Sequence, residues 1–293
     1  MKKVSAGRRV SEIIPHALFF ICGAMAVAFV IAISIYLVIS GLPAIGQIGI
    51  GNFLFGTVWA STAADPKYGI LPFILTSFYG TFLSVLIGVP IGLMVAVYLS
   101  KAAPKRIAAV IRTAVQLLAG IPSVVYGLVG MIVLVPGIQR AFRLSSGATL
   151  LAAIVVLVIM ILPSIINVSE TALQAVPKEY EEASLALGAT RVETWFKVSV
   201  PAARSGIAAA IVLGVGRAIG EAMAIIMVSG NVANMPGLLK PVRFMTTAIA
   251  SEMSYASVGS LQRNALFSIG LVLFIFIMII NIVLNIFIKG RSK

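Results

Sequence analysis

The sequence predicts an all-α, polytopic integral membrane protein with six transmembrane helices. Three observations carry that prediction. Of its 293 residues, 60% are hydrophobic and only 11% charged, with a mean hydropathy of +1.10; a soluble domain carries roughly 25% charged residues. The charges are also segregated. Five runs contain none at all, Ile13–Ala64, Tyr68–Ser100, Thr113–Gln139, Leu144–Ser169 and Asn264–Ile288, and each exceeds the ~20 residues a helix needs to cross a bilayer. A sixth run, about Ser205–Val228, is interrupted only by Arg217 and Glu221.

The net charge of +13 is the sum of basic residues flanking membrane spans, and it calls for no nucleic-acid partner. Membrane lipid is the solvent this surface fits. One cysteine, Cys22, allows neither an intrachain disulfide nor a cysteine metal site. The chain has no G-x-x-x-x-G-K-[ST] phosphate loop, no H-E-x-x-H, no Cys/His cluster and no hydrolase serine elbow. It therefore offers no recognisable catalytic residue, metal ligand or cofactor motif. Any ATP-derived energy must come from another subunit.

In chain order, residues 1–16 read as a basic tail, with His16 an interfacial side chain. Ala17–Ser40 is the first membrane helix. It is too long for a signal-peptide core of about 7–15 residues, so it is expected to be retained. Gly41–Gly69 reads as an external loop, Gly-rich over Gly41–Ala64, with Trp59 and Tyr68 expected in the aromatic belt at the membrane surface and contacts to a partner as the alternative. The second span carries Gly88 and Gly92, spaced for close helix packing, around a kink expected at Pro90. Spans three and four hold Pro122 and Pro163, each of which frees a backbone carbonyl. Such a carbonyl is tolerated in a membrane only against protein or a water-filled cavity.

Between spans four and five lies a charged island, Glu182–Pro201. Ala and Leu favour a helix up to Leu187, and Gly188 stands where a left-handed residue would close it. Thr190 and Glu193 have the spacing of a capping box that starts another helix. Pro201 suits the first turn of the next span. A plain amphipathic interfacial helix is the alternative. Lys and Arg gather on this side, at residues 2–9, 101–112, 178–204 and 289–293. By the positive-inside rule the island and both termini are cytoplasmic.

Arg217 and Glu221 fall near mid-bilayer, where a charge costs about 2.5–3.5 kcal/mol even on insertion scales. Their i, i+4 spacing puts them on one helix face, where they can pair and share the penalty. Gly214, Gly216 and Gly220 would admit a neighbouring helix. Arg217 then offers a fixed charge and bidentate donors to an oxyanion, with Glu221 holding it in place. A purely structural ion pair is the alternative.

The island resembles the EAA motif of ABC-importer permeases. Glu182-Ala183-Ser184, Gly188 and Val198-Ser199-Val200-Pro201 keep its spacing, with Ser for the second Ala and Val for both Ile and Leu. That resemblance implies the type I ABC importer permease (MetI-like) fold. It also implies a loop that couples to a cytoplasmic ATPase through Glu182, Ala183, Gly188 and Pro201. Tyr68–Pro72, Ala119–Gly127, Pro201–Ile207 and Arg217–Met223 look like the phosphate-specific (Pst) permeases, and Phe53, Leu54 and Trp59 like the PstC-type subunit. The family implies a bacterial inner-membrane location and a substrate pathway past Arg217, Glu221 and Ser123. Its expected partners are a second permease (PstA-type), an ATPase dimer (PstB-type) and a periplasmic phosphate-binding protein (PstS-type). On this reading residues 1–69 form an N-terminal tail, helix and external loop. Residues 70–288 form the permease domain, with a coupling loop at 170–204. The other readings are a sulfate or molybdate permease, a secondary transporter using Glu221 as a proton carrier, and a structural membrane anchor.

Overall fold

A computed structural model describes residues 6–290. The expectation that both termini are cytoplasmic rests partly on Lys2, Lys3, Arg291 and Lys293, which lie outside the described residues. The chain opens with α1 (Ala6–Ile48) and α2 (Ile50–Phe55), then a two-stranded antiparallel hairpin of β1 (Trp59–Ala60) and β2 (Lys67–Tyr68). Next come α3 (Leu71–Val97), α4 (Lys105–Gly120), α5 (Ser123–Val129), α6 (Val135–Phe142) and α7 (Leu150–Gln174). The short helices α8 (Lys178–Ala186), α9 (Arg191–Thr194) and α10 (Val200–Ala202) follow. Last are α11 (Arg204–Gly220), α12 (Met223–Val228), α13 (Met245–Glu252) and α14 (Leu261–Gly290). Single π-helical turns at Tyr98–Ala102, Gly130–Leu134 and Trp195–Ser199 extend α3, join α5 to α6 and join α9 to α10.

Among the described residues five helical stretches are long and apolar enough to cross a membrane, or six if the bent pair Arg191–Ala202 and Arg204–Gly220 counts as one span. The centre is α7. Leu157, Met160, Ile161 and Ile165 are fully buried among α3, α11 and α12. Because lipid is as apolar as leucine, these helices are held by close packing rather than by exclusion of water. Gly88 and Gly92 supply it: a Cβ on either would lie 2.7 Å from Ile161 or Ile165. Pro90 and Pro163 sit inside helices that continue past them.

Several expectations are corrected. Gly41 does not begin a loop, since α1 runs on to Ile48. Gly41 packs on the backbone of α14, where Ser268 Oγ donates to its carbonyl at 2.6 Å; tertiary contact overrides the loop tendency of glycine. Trp59 and Tyr68 are not belt residues. Both are buried, with ring centroids 5.4 Å apart, and Trp59 also packs against Phe73. The third span begins at Ser123, because the chain is broken at Ile121–Pro122 and α4 is a separate amphipathic helix.

The hairpin lies at the start of α3, and Lys101, just past its end, contacts α8. The hairpin and the α8–α10 corner therefore occupy opposite ends of the bundle, about 40 Å apart at 1.5 Å per residue.

Candidate functional site

The corner is built from local rules. Pro177 fixes the entry to α8, and Glu179 and Glu181 in its first turn favour the positive end of the helix dipole. Gly188 has φ +87 and nothing within 4 Å of a would-be Cβ, so backbone conformation alone demands glycine there. At Thr190 the capping box is complete. Thr190 Oγ1 accepts from Glu193 N at 3.3 Å, and Glu193 Oε2 accepts from Thr190 N at 3.1 Å. Those bonds, the backbone one foremost, and Lys197 at 3.1 Å lower the Glu193 carboxyl to about 2.

Ser184 Oγ and Thr194 Oγ1, 3.0 Å apart, pin the two arms of the corner together. Glu181 ties it to the bundle by pairing with Lys101 and accepting from Ser199 Oγ at 2.9 Å. Beside that tie, Arg112 pairs with Glu170 of α7 at 2.6 Å. Glu182 points elsewhere; it is exposed and has no partner among the described residues. With it, Leu187 (90% exposed), Val192 and Tyr180 present an apolar surface to solvent. Pro201 does not open the membrane helix. It lies in α10, before a 72° bend at Ala203 that starts α11.

Deeper in the bundle, α11 ends at Gly220 and the chain is extended at Glu221 (φ −73, ψ 130) before α12 begins. The expected i, i+4 pairing of Arg217 with Glu221 is therefore absent: a helix break separates them, and no ion pair joins them among the described residues. Instead Glu221 Oε1 accepts from Ala224 N at 2.9 Å, capping α12. The Glu221 carbonyl, freed by the break, accepts from Thr246 Oγ1 at 2.7 Å. Nearby glycines behave differently from one another. Gly214 packs at 3.1 Å on Ile165, whereas Gly216 and Gly220 face open space.

A second break lies alongside. Ser123 opens α5 directly after the Ile121–Pro122 step, and Tyr126 Oη donates to the freed carbonyl of Leu118 at 2.6 Å. Helix α5 packs on α12 so closely that a Cβ on Gly127 would lie 2.8 Å from Ala224 Cα. Arg217, half-buried, lies in the last turn of α11, one turn before the Glu221 break. Arg217 makes no hydrogen bond among the described residues. Ser123, Arg217 and Glu221 thus stand at two helix breaks, with no carboxylate paired to the guanidinium among the described residues. Tyr126 and Thr246, which bond the two freed carbonyls, were missed in the sequence. Pro122 was the signal for the break that Tyr126 serves; the break that Thr246 serves carries no such signal.

A multi-span bundle with an exposed apolar corner at one end and a solitary arginine between broken helices has the build of a membrane transport component. Residues 88–292 match the family described as binding-protein-dependent transport system inner membrane component, and the chain belongs to it. Over 281 residues it is 41% identical to a probable ABC transporter permease protein, YqgH, of Bacillus subtilis, covering 94% of this chain and 91% of that protein. Over 264 residues it is 35% identical to the phosphate transport system permease protein PstC of Haemophilus influenzae, covering 83% and 82%. A chain of the MetNI methionine ABC transporter in an inward-facing form superposes with a TM-score of 0.59 at 22% identity, covering 76% of this chain and 96% of that one. A chain of a bacterial alginate-importing ABC transporter gives 0.63 at 14% identity, covering 97% and 100%. The fold is that of ABC importer permeases.

Proposed function

We propose that the chain is the PstC-type permease subunit of an ATP-driven importer of inorganic phosphate. The carrying observation is the rigid corner at 178–202, whose exposed apolar side chains and free Glu182 are at one end of a bundle without a phosphate loop of its own. That surface suits a cytoplasmic ATPase dimer, and the corner end is then the cytoplasmic face. The hairpin end faces the periplasm and a phosphate-binding protein. A second permease of PstA type completes the pathway, and the permease domain spans residues 70–288. The chain itself is no enzyme, because the ATPase pair supplies the hydrolysis.

Phosphate as the substrate is supported by relatives named for phosphate transport and by Arg217, whose fork of donors matches an oxyanion. Glu221 caps α12 and keeps the break open beside Arg217, in place of the direct pairing its spacing suggested. Docking of the ATPases pulls the corner, and the 72° bend at Ala203 passes that motion into α11 and Arg217. Sulfate or molybdate would fit a similar charge, so the test must separate the anions. Phosphate uptake in right-side-out vesicles, with and without this subunit, should require the subunit and ATP enclosed on the corner side. Uptake should resist excess sulfate and molybdate. Equal inhibition by sulfate would move the assignment to a general oxyanion permease.

A further inference from the structure

At the hairpin end four segments converge on one carboxylate. Glu252, 3% exposed, closes α13. Its Oε1 accepts from Trp59 Nε1 at 2.9 Å and from Arg243 Nη1 at 2.6 Å. Its Oε2 accepts from Ser61 Oγ at 2.7 Å and from Gln262 Nε2 at 3.2 Å. Arg243 is itself held, donating through Nε and Nη2 to the carbonyl of Asn231 at 3.0 and 2.8 Å. A carboxylate offers about four lone-pair directions, and all are taken. The hairpin, α13, the start of α14 and the 231–243 loop are thereby locked into one plate.

The other end of α13 touches the helix break. Thr246 Oγ1 donates to the Glu221 carbonyl at 2.7 Å, about 9 Å along the helix axis from Glu252. Helix α13 is also held sideways: Met245 and Ala248 are fully buried, and Met245 N donates to Ser77 Oγ of α3 at 3.0 Å. A short helix fixed at both ends and along its flank moves as a rod.

We infer that α13 is a strut joining the hairpin plate to the Glu221 break, and that Thr246 and Glu252 are positioning residues for the Arg217 pathway. A protein docking on the plate shifts the break without touching it. The mechanical claim stands on geometry; its use in transport rests on the permease reading above.

Hydrogen exchange of the full chain in lipid nanodiscs tests the strut without substrate or partner. The amides of Ile226 and Ser229, bonded to the carbonyls of Ala222 and Ile225 at 2.9 Å, report on α12. Thr246→Val should speed their exchange tenfold or more, and Thr246→Ser should leave it unchanged. Glu252→Gln, at the far end, should speed the same amides. Where that variant fails to insert, Ser61→Ala and Gln262→Ala each remove one donor and should give smaller shifts in the same direction. Faster exchange confined to the hairpin, with α12 unchanged, would overturn the strut.

In the assembled transporter, Thr246→Val should keep basal ATP hydrolysis and lose at least tenfold of its stimulation by loaded binding protein, with Thr246→Ser restoring it. Full stimulation in Thr246→Val would remove the positioning role. A wild-type complex that shows no stimulation counts against the permease reading, and the exchange result then decides the strut alone.

Discussion

Gly188 is the residue on which the corner turns. Its φ of +87 with open space around it means that a side chain meets no clash, only the left-handed backbone penalty of roughly 1–2 kcal/mol. Gly188→Val should therefore insert normally yet lose most ATP-coupled transport, while Gly188→Asn should retain much of it. Uptake and ATPase pull-down on the same membranes check both, and normal uptake in the valine variant would remove the corner from the mechanism. Glu193 is the titrating member of the corner. Its folded value of about 2 lies below the ordinary 4.5, so its cap is fully formed above about pH 4.5 and lost as pH falls toward 2. A carboxyl-carbon NMR titration should give a midpoint near 2, moving upward in Lys197→Ala. A midpoint at the ordinary value would contradict the capping box. Neighbouring glutamates show how fine the sequence signal is. Glu181 and Glu182 are adjacent and so face different sides of α8; one binds Lys101 and Ser199 inward and the other faces solvent. The motif marks Glu182, but nothing in it marks Glu181, because its partners come from distant turns.

At the level of elements, the spans were legible because long charge-free runs leave a helix no soluble alternative. The capping box and glycine corner were legible because they depend on residues three to seven apart. Breaks were harder to see. Pro122 announced one, whereas Gly220-Glu221-Ala222 contains no proline and reads as continuous helix. The break there is held by Thr246 and by packing on α5, contacts that local sequence does not encode. Trp59 and Tyr68 were misplaced for the same reason, since Trp59 is drawn inward by Glu252, far along the chain, and Tyr68 packs on Trp59. The α5–α12 contact makes a sharp prediction. A Cβ on Gly127 would meet the Ala224 backbone at 2.8 Å and Met227 Sδ at 2.8 Å, and backbone cannot yield cheaply. Gly127→Val should cost about 1–3 kcal/mol by overpacking and separate the two breaks. Transport should fall at least tenfold, while ATPase association through the distant corner stays intact. Loss of association in that variant would point to global misfolding instead.

For the whole molecule, the account needs the corner and the hairpin on opposite sides of a membrane. With Cys22 replaced, Leu187→Cys (90% exposed) and Val258→Cys (85% exposed) should react with impermeant maleimide from the cytoplasmic and periplasmic side respectively. Reversed labelling would invert the topology and detach the corner from any cytoplasmic ATPase. Beyond topology, the central claim is that ATP hydrolysis by partners moves phosphate past Arg217. It is tested most directly in proteoliposomes holding the complete complex, with ATP on the corner side and labelled phosphate on the hairpin side. The account predicts ATP-dependent uptake in the wild type. In Arg217→Gln it predicts uptake reduced by at least 100-fold, roughly 3 kcal/mol, with the complex still assembled and still hydrolysing ATP. Phosphate uptake that continues in Arg217→Gln, or that runs on a proton gradient without ATP, would contradict it.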